Sequence, residues 1–366
     1  MSEWIRTTGG FGALVAVCLA AATFALPLWG QPQGKSAPPP PKPSPAARVA
    51  LDQGVSVGAA ARFDNLAVLP VYSKKQEQIG EFTTLPLALK YGQAEVREES
   101  DGGQVSVVVV ANRGEKPIFV LAGTLIKGGK QDRLIGQDFL IGARKTVKVD
   151  AFCVEQGRWT KTRSGRQTGG KFTASGTVAG RKVRAAGQFE TNQGKVWAEV
   201  AKVNQAHQKS TSTGTLMATM DDEQLATRRK ALAVKAAAHL RSQPDRAEIV
   251  GFAYAVDGKV RGVRWFMNHQ LFDLYADALI ETAALEALTA QAEATSKGKP
   301  VARLSASPRA VVKFIAARKR AKRTVSKKTS GGNVNEYQFS DDGYRSKVRY
   351  RPKPSAPPKT LSAEYF

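Results

Sequence analysis

The sequence predicts an α+β fold, because strand-like segments come before helix-like segments instead of alternating with them. The first half carries short apolar runs separated by turn residues, and the second half carries long runs with helical spacing. We therefore expect a β-rich N-terminal half, as an antiparallel sheet or sandwich, then C-terminal helices and a β-hairpin, flanked by disordered arms. A chain of 366 residues that is 42% hydrophobic can bury a core of one large or two ordinary domains.

The predicted strands of the first half are apolar runs bounded by glycine or charged residues. The clearest run covers residues 104–111 (QVSVVVVA), which are β-branched and match the length of a buried strand. Residues 84–91 (TLPLALKY) fit either a helical turn or a short strand. The other predicted strands are residues 64–72, 117–121, 134–141 and 146–154.

The second half predicts helices with a hairpin between them. Residues 196–208 and 221–241 have helical spacing, and the second of these begins with acidic residues that suit the helix dipole. Asp257-Gly258 supplies the positive φ angles of a tight turn, which predicts a hairpin over residues 247–265. Residues 271–292 form an amphipathic pattern, which predicts the last helix of the core.

The N-terminus has the pattern of an export signal. Residues 11–28 carry no charge and follow the basic Arg6, so residues 1–30 are predicted to be a signal peptide or an uncleaved signal-anchor, with a buried helix as the alternative. Residues 31–60 are predicted to be a proline-rich linker, because proline favours an extended chain. We expect an exported protein: secreted, periplasmic, or membrane-anchored on the outer side of the inner membrane.

The charge of the chain predicts polyanionic partners. It has 55 Lys and Arg against 31 Asp and Glu, for a formal charge of +24. Residues 297–366 contain 18 basic and 4 acidic residues, so 18 − 4 = +14 of that charge lies there. Such a surface attracts nucleic acid, anionic lipid or acidic envelope polymers. The alternative is a solvated basic segment that only keeps the protein soluble and has no specific partner.

Composition also sets the predicted domain boundaries. Residues 61–296 are predicted to be the α+β core, with residues 160–186 as a mobile basic loop because they contain almost nothing apolar. Residues 297–366 are predicted to be a disordered basic tail. The candidate polyanion-binding residues of this tail are Lys313, Arg318, Lys319, Arg320, Lys322 and Arg323.

Two polar motifs are the candidate binding site. Residues 123–133 (GTLIKGGKQDR) contain Gly128-Gly129, which allows a backbone bend that can receive an anion. Residues 152–159 (FCVEQGRW) place Cys153 and Glu155 on one side of a strand. The alternatives are a surface pair between Asp132 and Arg133, and a purely structural pairing of Glu155 with an arginine. The candidate ligand-binding residues are Lys130, Gln131, Asp132, Arg133, Glu155, Arg158 and Trp159.

Several chemistries lack their sequence signals. Cys18 and Cys153 are the two cysteines, and loss of the leader removes Cys18, so we expect no disulfide within the mature chain. No histidine lies near Cys153 in the sequence, which favours a buried structural cysteine over a nucleophile. The three histidines lack ligand spacing, and neither a Walker loop nor a dinucleotide fingerprint is present, so we expect no metal and no cofactor.

Taken together, these motifs resemble a known domain family. The segments GGKQDR, CVEQGRW, the helix with Val196-Trp197, Ser212-Thr213-Gly214 and the hairpin VGFAYAVDGKV are similar to the family named for its association with ADP-ribosylglycohydrolases and rhodanese-phosphatases. The resemblance covers roughly residues 60–292. It implies no reaction, and the family name implies only a neighbourhood of ADP-ribose or nucleotide-linked processes. The basic segment after Trp159 departs from the pattern.

The sequence leaves three functions open. The first is a non-enzymatic exported binding or scaffold protein, whose core binds a small anionic or nucleotide-like ligand or an envelope protein partner, and whose tail contacts polyanions. The second is a hydrolase-like enzyme that uses Glu155, Asp132 and Lys130 on a phosphorylated, glycosidic or ADP-ribose-related substrate. The third is an envelope-organising protein in which the two motifs form internal ion pairs. Geometry separates them, because catalysis requires these side chains to converge in one cleft.

Overall fold

The computed structural model describes residues 48–52, 54–99, 106–351 and 355–366, so the predicted leader and most of the predicted linker lie outside the described residues. The strands are β1 (Val49–Asp52), β2 (Val55–Val57), β3 (Ala61–Phe63), β4 (Leu66–Ser73), β5 (Ala94–Glu98), β6 (Val107–Asn112), β7 (Ile118–Val120), β8 (Thr124–Gly128), β9 (Arg133–Ile135), β10 (Phe139–Ile141), β11 (Thr146–Cys153), β12 (Thr162–Arg163), β13 (Arg166–Gln167), β14 (Lys171–Val178), β15 (Ile249–Val256), β16 (Lys259–Phe266), β17 (Arg323–Lys328), β18 (Val334–Ser340), β19 (Gly343–Tyr350) and β20 (Lys359–Tyr365).

The helices are α1 (Leu85–Lys90), α2 (Arg181–Gln188), α3 (Gln193–Ala206), α4 (Met217–Met220), α5 (Glu223–Arg241), α6 (His269–Asp273), α7 (Ala276–Ser296) and α8 (Pro308–Lys319), and Arg246–Glu248 forms a 3-10 turn. Side-chain caps begin several of them. The Asp222 carboxylate accepts from Leu225 N at 2.9 Å at the start of α5, and Asn268 accepts from Leu271 N at 2.8 Å at the start of α6.

Two antiparallel sheets organise the described residues. The first, which we call the open sheet, has the strand order β1-β2-β4-β15-β16-β20-β19-β18-β17, and β3 also pairs with β4. The second, which we call the closed sheet, runs β11-β6-β5-β14-β8-β9, and β9 pairs back with β11. Two short pairs, β7 with β10 and β12 with β13, complete the strands.

The open sheet is buried on both faces, which explains why its central strands are continuously apolar. Every residue of β4 is buried. Leu66 and Val68 join one core with α7, while Leu69 joins the other core with Val311 and Ile315 of α8. The closed sheet instead buries one face of β11, whose residues alternate between exposed and buried along most of its length.

The predicted α+β class is confirmed. Several elements lie where the hydrophobic periodicity placed them: residues 64–72 contain most of β4, residues 146–154 contain β11, and residues 84–91 contain the helix α1. The predicted single strand over 134–141 is wrong, because the chain divides there between β9 and β10, which pair with different strands. The Asp257-Gly258 turn joins β15 to β16 with φ angles of 53° and 76°, as a tight hairpin turn requires. The predicted helix over 271–292 differs in detail, because it is divided between α6 and α7.

The prediction of a disordered tail over 297–366 is wrong. This segment forms α8 and the strands β17 to β20, and β20 lies between β16 and β19 inside the open sheet. Tyr337, Leu361 and Tyr365 are fully buried or nearly so. Basic composition misled the prediction, because the lysines and arginines of β17 and β19 are interleaved with residues that face the protein at strand spacing.

The predicted loop and linker also contain regular structure. Residues 160–186 include β12, β13, β14 and the start of α2, and Phe172 of β14 is buried in the core of the closed sheet. β1 and β2 fall inside the predicted linker 31–60. Both segments acquire structure from pairing with strands distant in sequence, such as β14 with β8, which local composition does not reveal.

In the described part of the chain, no helix combines the length and apolarity needed to cross a membrane.

Candidate functional site

The two polar motifs meet because β9 pairs with β11. Arg133 stands opposite Cys153 in this pairing, so the turn before β9 and the turn after β11 lie side by side. Gly128 and Gly129 have φ angles of 131° and 49° in the first turn. A side chain at Gly128 would place its Cβ 2.3 Å from Lys171 O, so the close packing of β14 requires glycine there.

Arg158 is the centre of the polar network between these turns. Its Nε donates to Glu155 Oε2 at 2.9 Å, and its Nη2 lies 3.4 Å from Asp132 Oδ1. The same guanidinium donates to the carbonyls of Gly128 at 3.0 Å and Gly129 at 2.9 Å. The side chain is buried, so one arginine satisfies two buried carboxylates and the carbonyls of the glycine turn.

Asp132 is fully buried and receives hydrogen bonds from several sides. Arg163 Nε donates to Oδ1 at 2.9 Å and Arg163 Nη2 to Oδ2 at 3.1 Å, as a two-point guanidinium-carboxylate pair. Gly128 N donates to Oδ1 at 2.9 Å, and Thr215 Oγ1 donates to Oδ2 at 3.2 Å. The hydrogen bond to Asp132 raises the pKa of Arg163 above its ordinary value.

Glu155 extends the network toward the cysteine. Asp132 N donates to Glu155 Oε2 at 2.9 Å, and Gln131 Nε2 donates to Glu155 O at 2.7 Å. The Cys153 thiol donates to Gln131 Oε1 at 2.9 Å. Burial raises the pKa of Cys153 above its ordinary value, so the thiol stays protonated and weakly reactive.

Arg133 turns away from Asp132, so the predicted surface pair between them is wrong. Neighbouring residues of an extended chain point to opposite sides. Arg133 is fully buried, and its Nη2 lies 3.1 Å from both carboxylate oxygens of Glu98. Its guanidinium also lies 5.9 Å from the centre of the Phe172 ring.

The predicted ligand-binding residues are therefore mostly internal. Gln131, Asp132, Arg133, Glu155 and Arg158 are buried together, Lys130 is half-buried with its backbone N donating to Glu98 Oε1 at 2.9 Å, and Trp159 is 53% exposed. Sequence reasoning missed Glu98, Arg163 and Thr215, which contact these residues from distant segments. Arg163 was inside the predicted mobile loop, and no local pattern marks its partner 31 residues away.

This geometry suits binding or structure better than proton transfer. Each carboxylate of the network, Asp132 and Glu155, is paired with at least one guanidinium and further hydrogen bonds. A general acid or base must reach the substrate with the oxygen that exchanges the proton, whereas these carboxylates are buried and directed at groups of the protein itself. In the described residues, no group of three or more His, Cys, Asp or Glu is arranged to hold a metal ion.

A cleft of about 330 Å³ lies beside the network. We call it the Trp197 cleft. A backbone hydrogen bond of 2.9 Å from Gly157 N to Thr213 O joins the second motif to the segment that carries the lining residues Thr211 and Gly214. Its lining residues are Gln156, Trp197, Ala201, Asn204, Gln205, Lys209, Ser210, Thr211 and Gly214.

A second cleft, of about 110 Å³, has no residue of either motif in its lining. Its floor is apolar and includes Val203 and Met220. Its rim charges are largely paired with each other, since Lys202 Nζ lies 2.6 Å from Glu199 Oε1 and Arg181 lies 4.0 Å from Glu286. Sequence reasoning did not predict this cleft, because its walls come from α2, α3, α7 and the end of β15.

A second buried ionic network joins the two sheets. Arg264 Nη2 lies 3.0 Å from Asp138 Oδ1, and Arg264 Nη1 lies 2.8 Å from Glu364 Oε2. Arg184 Nη2 lies 2.7 Å from Glu364 Oε1. All four side chains are buried, and sequence reasoning missed them because each belongs to a different segment.

The candidate polyanion-binding residues lie on folded structure. Lys313 is exposed on α8, and Arg318 stacks 3.3 Å from the Phe314 ring. Burial lowers the pKa of Arg318 to about 10. The remaining members contact nearby groups: Lys319 with Asp52 at 3.1 Å, Arg320 with Asp342 at 3.7 Å, Lys322 with Asp341 at 2.7 Å, and Arg323 with the Phe339 ring at 4.0 Å.

Comparison with known proteins identifies the family. Neither the curated proteins nor the solved structures contain a significant match to this chain. The family model of the ARG and Rhodanese-Phosphatase-superfamily-associated Protein domain matches residues 54–354. That range includes both polar motifs and most of the folded C-terminal segment, well beyond the residues 60–292 of the sequence resemblance. The chain therefore belongs to the ARG and Rhodanese-Phosphatase-superfamily-associated Protein domain family.

Proposed function

We propose that this protein is an exported, non-enzymatic binding or scaffold protein whose basic C-terminal surface contacts polyanions. The observation that carries the proposal is the concentration of charge on α8 and β17. Residues 308–328 contain nine basic residues and no acidic residue. Nucleic acid, anionic lipid and acidic envelope polymers share the negative charges that such a surface attracts.

The side chains of this basic surface are accessible. Arg309 and Lys313 are exposed on α8, and the side chains of Arg320 and Lys322 are 78% and 71% exposed. The pairs that Arg320 and Lys322 form with Asp342 and Asp341 are at the surface, where an ion pair contributes about 1 kcal/mol or less. A polyanion can therefore replace these partners at little cost.

The hydrolase alternative is less well supported. It requires a carboxylate free to take or give a proton, and the two candidates, Asp132 and Glu155, are buried in arginine pairs. The internal pairing is what an organising or binding protein needs for a rigid framework. We therefore place the contact with partners on the surface, not in the network.

The test measures how binding depends on salt. The full-length protein is titrated with a single-stranded DNA oligonucleotide and, separately, with vesicles containing phosphatidylglycerol, over a series of salt concentrations. The double variant Arg309→Glu/Lys313→Glu should bind more weakly to the preferred polyanion. On DNA, the slope of log K against log salt should fall by about 0.7 for each phosphate that the variant no longer neutralises.

The matched control is Lys230→Glu/Lys235→Glu, which makes the same charge change at exposed positions of α5. This variant should retain most of the binding and the slope of the unchanged protein. Equal losses in the two variants would mean that net charge alone drives adhesion, and would overturn the assignment to α8.

A further inference from the structure

We propose that the Trp197 cleft is a binding site for a neutral, hydroxyl-rich ligand, and that the ligand class is a carbohydrate. This inference is independent of the basic surface, which lies on α8 and β17. It rests on three features of the cleft: the hydrogen-bonding groups that line it, the compensation of its charge by a neighbouring carboxylate, and the rigidity of its walls.

The lining supplies neutral donors and acceptors next to an aromatic ring. Gln156 and Gln205 are exposed amides, and Ser210 and Thr211 are exposed hydroxyls. Amides and hydroxyls can each donate and accept hydrogen bonds, so they match sugar hydroxyls, which do the same. Trp197 adds a flat apolar surface with one polar edge, suited to a ligand that has both an apolar face and polar rims.

The charge of the cleft favours a neutral ligand over an anion. Lys209 is the cation of the lining, and it is already paired with the Asp222 carboxylate. Asp222 also caps α5, so the pair is held in place by the helix. An anionic ligand would have to compete with this carboxylate, whereas a neutral sugar meets no uncompensated charge.

The buried network braces this site. Thr215 connects the wall of the cleft to Asp132 by a bond of 3.2 Å. Asn204 of α3 braces the same segment, because its Nδ2 donates to Thr215 O at 3.0 Å and its Oδ1 accepts from Thr219 Oγ1 at 2.7 Å. A Cβ at Gly157 would lie 3.0 Å from Thr213 Cα, so the two segments are in close contact. Preformed walls lower the entropic cost of binding.

The test uses two neutral trisaccharides, chitotriose and cellotriose, with ADP-ribose as an anionic comparison. Binding to the full-length protein is measured by saturation-transfer NMR and calorimetry. We expect at least one trisaccharide to bind with an affinity that changes little with salt. Trp197→Ala should weaken that affinity about tenfold, or about 1.4 kcal/mol, because the ring contact is lost. Trp197→Phe should keep part of the affinity, because it keeps a smaller aromatic face.

The control is Tyr91→Ala, which removes an exposed aromatic side chain at the end of α1, outside the cleft lining. It should change trisaccharide affinity by less than about twofold, within the usual effect of a surface substitution. Absence of binding by both trisaccharides would overturn the proposal. So would equal losses in Tyr91→Ala and Trp197→Ala, or a cleft that takes ADP-ribose and rejects both sugars.

Discussion

Arg158 determines whether the buried network is stable, because one guanidinium serves two carboxylates. Glu155 and Asp132 are both within 3.4 Å of it, and the carbonyls of the glycine turn accept from the same group. A buried pair is weak evidence of net stabilisation, since desolvation offsets the attraction. Removing Arg158 is strongly destabilising, because the buried carboxylate charges lose the guanidinium that compensates them.

We expect Arg158→Met to lower the free energy of unfolding by about 3–5 kcal/mol, the usual cost of breaking a buried pair. Methionine keeps the length of the side chain and removes the charge, so the loss reports on Glu155 and Asp132. Urea unfolding followed by circular dichroism measures it. The adjacent Trp159→Ala should change stability by less than about 0.5 kcal/mol, because Trp159 is exposed. Similar values for the two variants would contradict a network that depends on Arg158.

Cys153 predicts a pH dependence of stability. Burial raises the pKa of its thiol, so the unfolded chain loses this proton at a lower pH than the folded chain. The stability contributed by the protonated thiol is complete below the ordinary pKa of about 8.5 and falls by about 1.4 kcal/mol per pH unit above it. The decline continues until the pH reaches the pKa of the folded protein.

The comparison is between unchanged protein and Cys153→Ala, each unfolded in urea from neutral to alkaline pH. The alanine variant should lose less stability above about pH 8.5, because it has no thiol to ionise there. Cys18 and the tyrosines are the same in both proteins, so they cancel in the difference. Parallel curves would show that the thiol ionises equally in the folded and unfolded states.

At the scale of elements, the sequence predicted what local patterns encode. Residues 107–112 and 146–153 form strands, residues 193–206 and 223–241 form helices, and Asp257-Gly258 turns the hairpin, close to their predicted positions. Alternation, helical spacing and turn residues act over a few neighbours, so the local sequence encodes them. The motifs at Gly128-Gly129 and Glu155 were also found, and the structure brings them together through the pairing of β9 with β11.

The elements and residues that the sequence did not predict are positioned by partners distant in the chain. β14 and β17 are rich in basic and small polar residues, and each forms a strand because another strand pairs with it. Burial on the two faces of the open sheet hides polar residues such as Glu364 beside arginines from other segments. The network members Glu98 and Arg163 were missed for the same reason, because tertiary contact and not local propensity fixes their positions.

The position of β20 predicts the effect of deleting the C-terminal segment. β20 fills the space between β16 and β19, and it supplies Glu364 to two buried arginines. We expect a chain ending at residue 296 to lose cooperative unfolding and to aggregate, because the edge of β16 and part of the core would be exposed. Near-ultraviolet circular dichroism and size-exclusion chromatography measure this. A soluble, cooperatively unfolding fragment would mean that residues 297–366 are a separable addition.

For the whole molecule, we expect the second ionic network to couple the unfolding of the two sheets. Asp138 follows the closed-sheet strand β9, Arg264 lies on β16 and Glu364 on β20 of the open sheet. Arg184 adds helix α2 to the same carboxylate. Charges that are paired across elements in this way cannot be separated without leaving a buried ion unpaired, so partial unfolding of one sheet destabilises the other.

Glu364→Gln tests this coupling. The substitution removes the carboxylate that pairs with Arg184 and leaves Arg264 with Asp138, so we expect a loss of about 3–5 kcal/mol and a clear fall in Tm. Glu336→Gln, at the surface pair with Arg349, should cost about 1 kcal/mol or less. Hydrogen exchange of β6 and β15 should accelerate together in the first variant, because the network spans both sheets. If β15 alone lost protection, the closed sheet would be stable without the open sheet, and the buried network would be a local feature of β16 and β20.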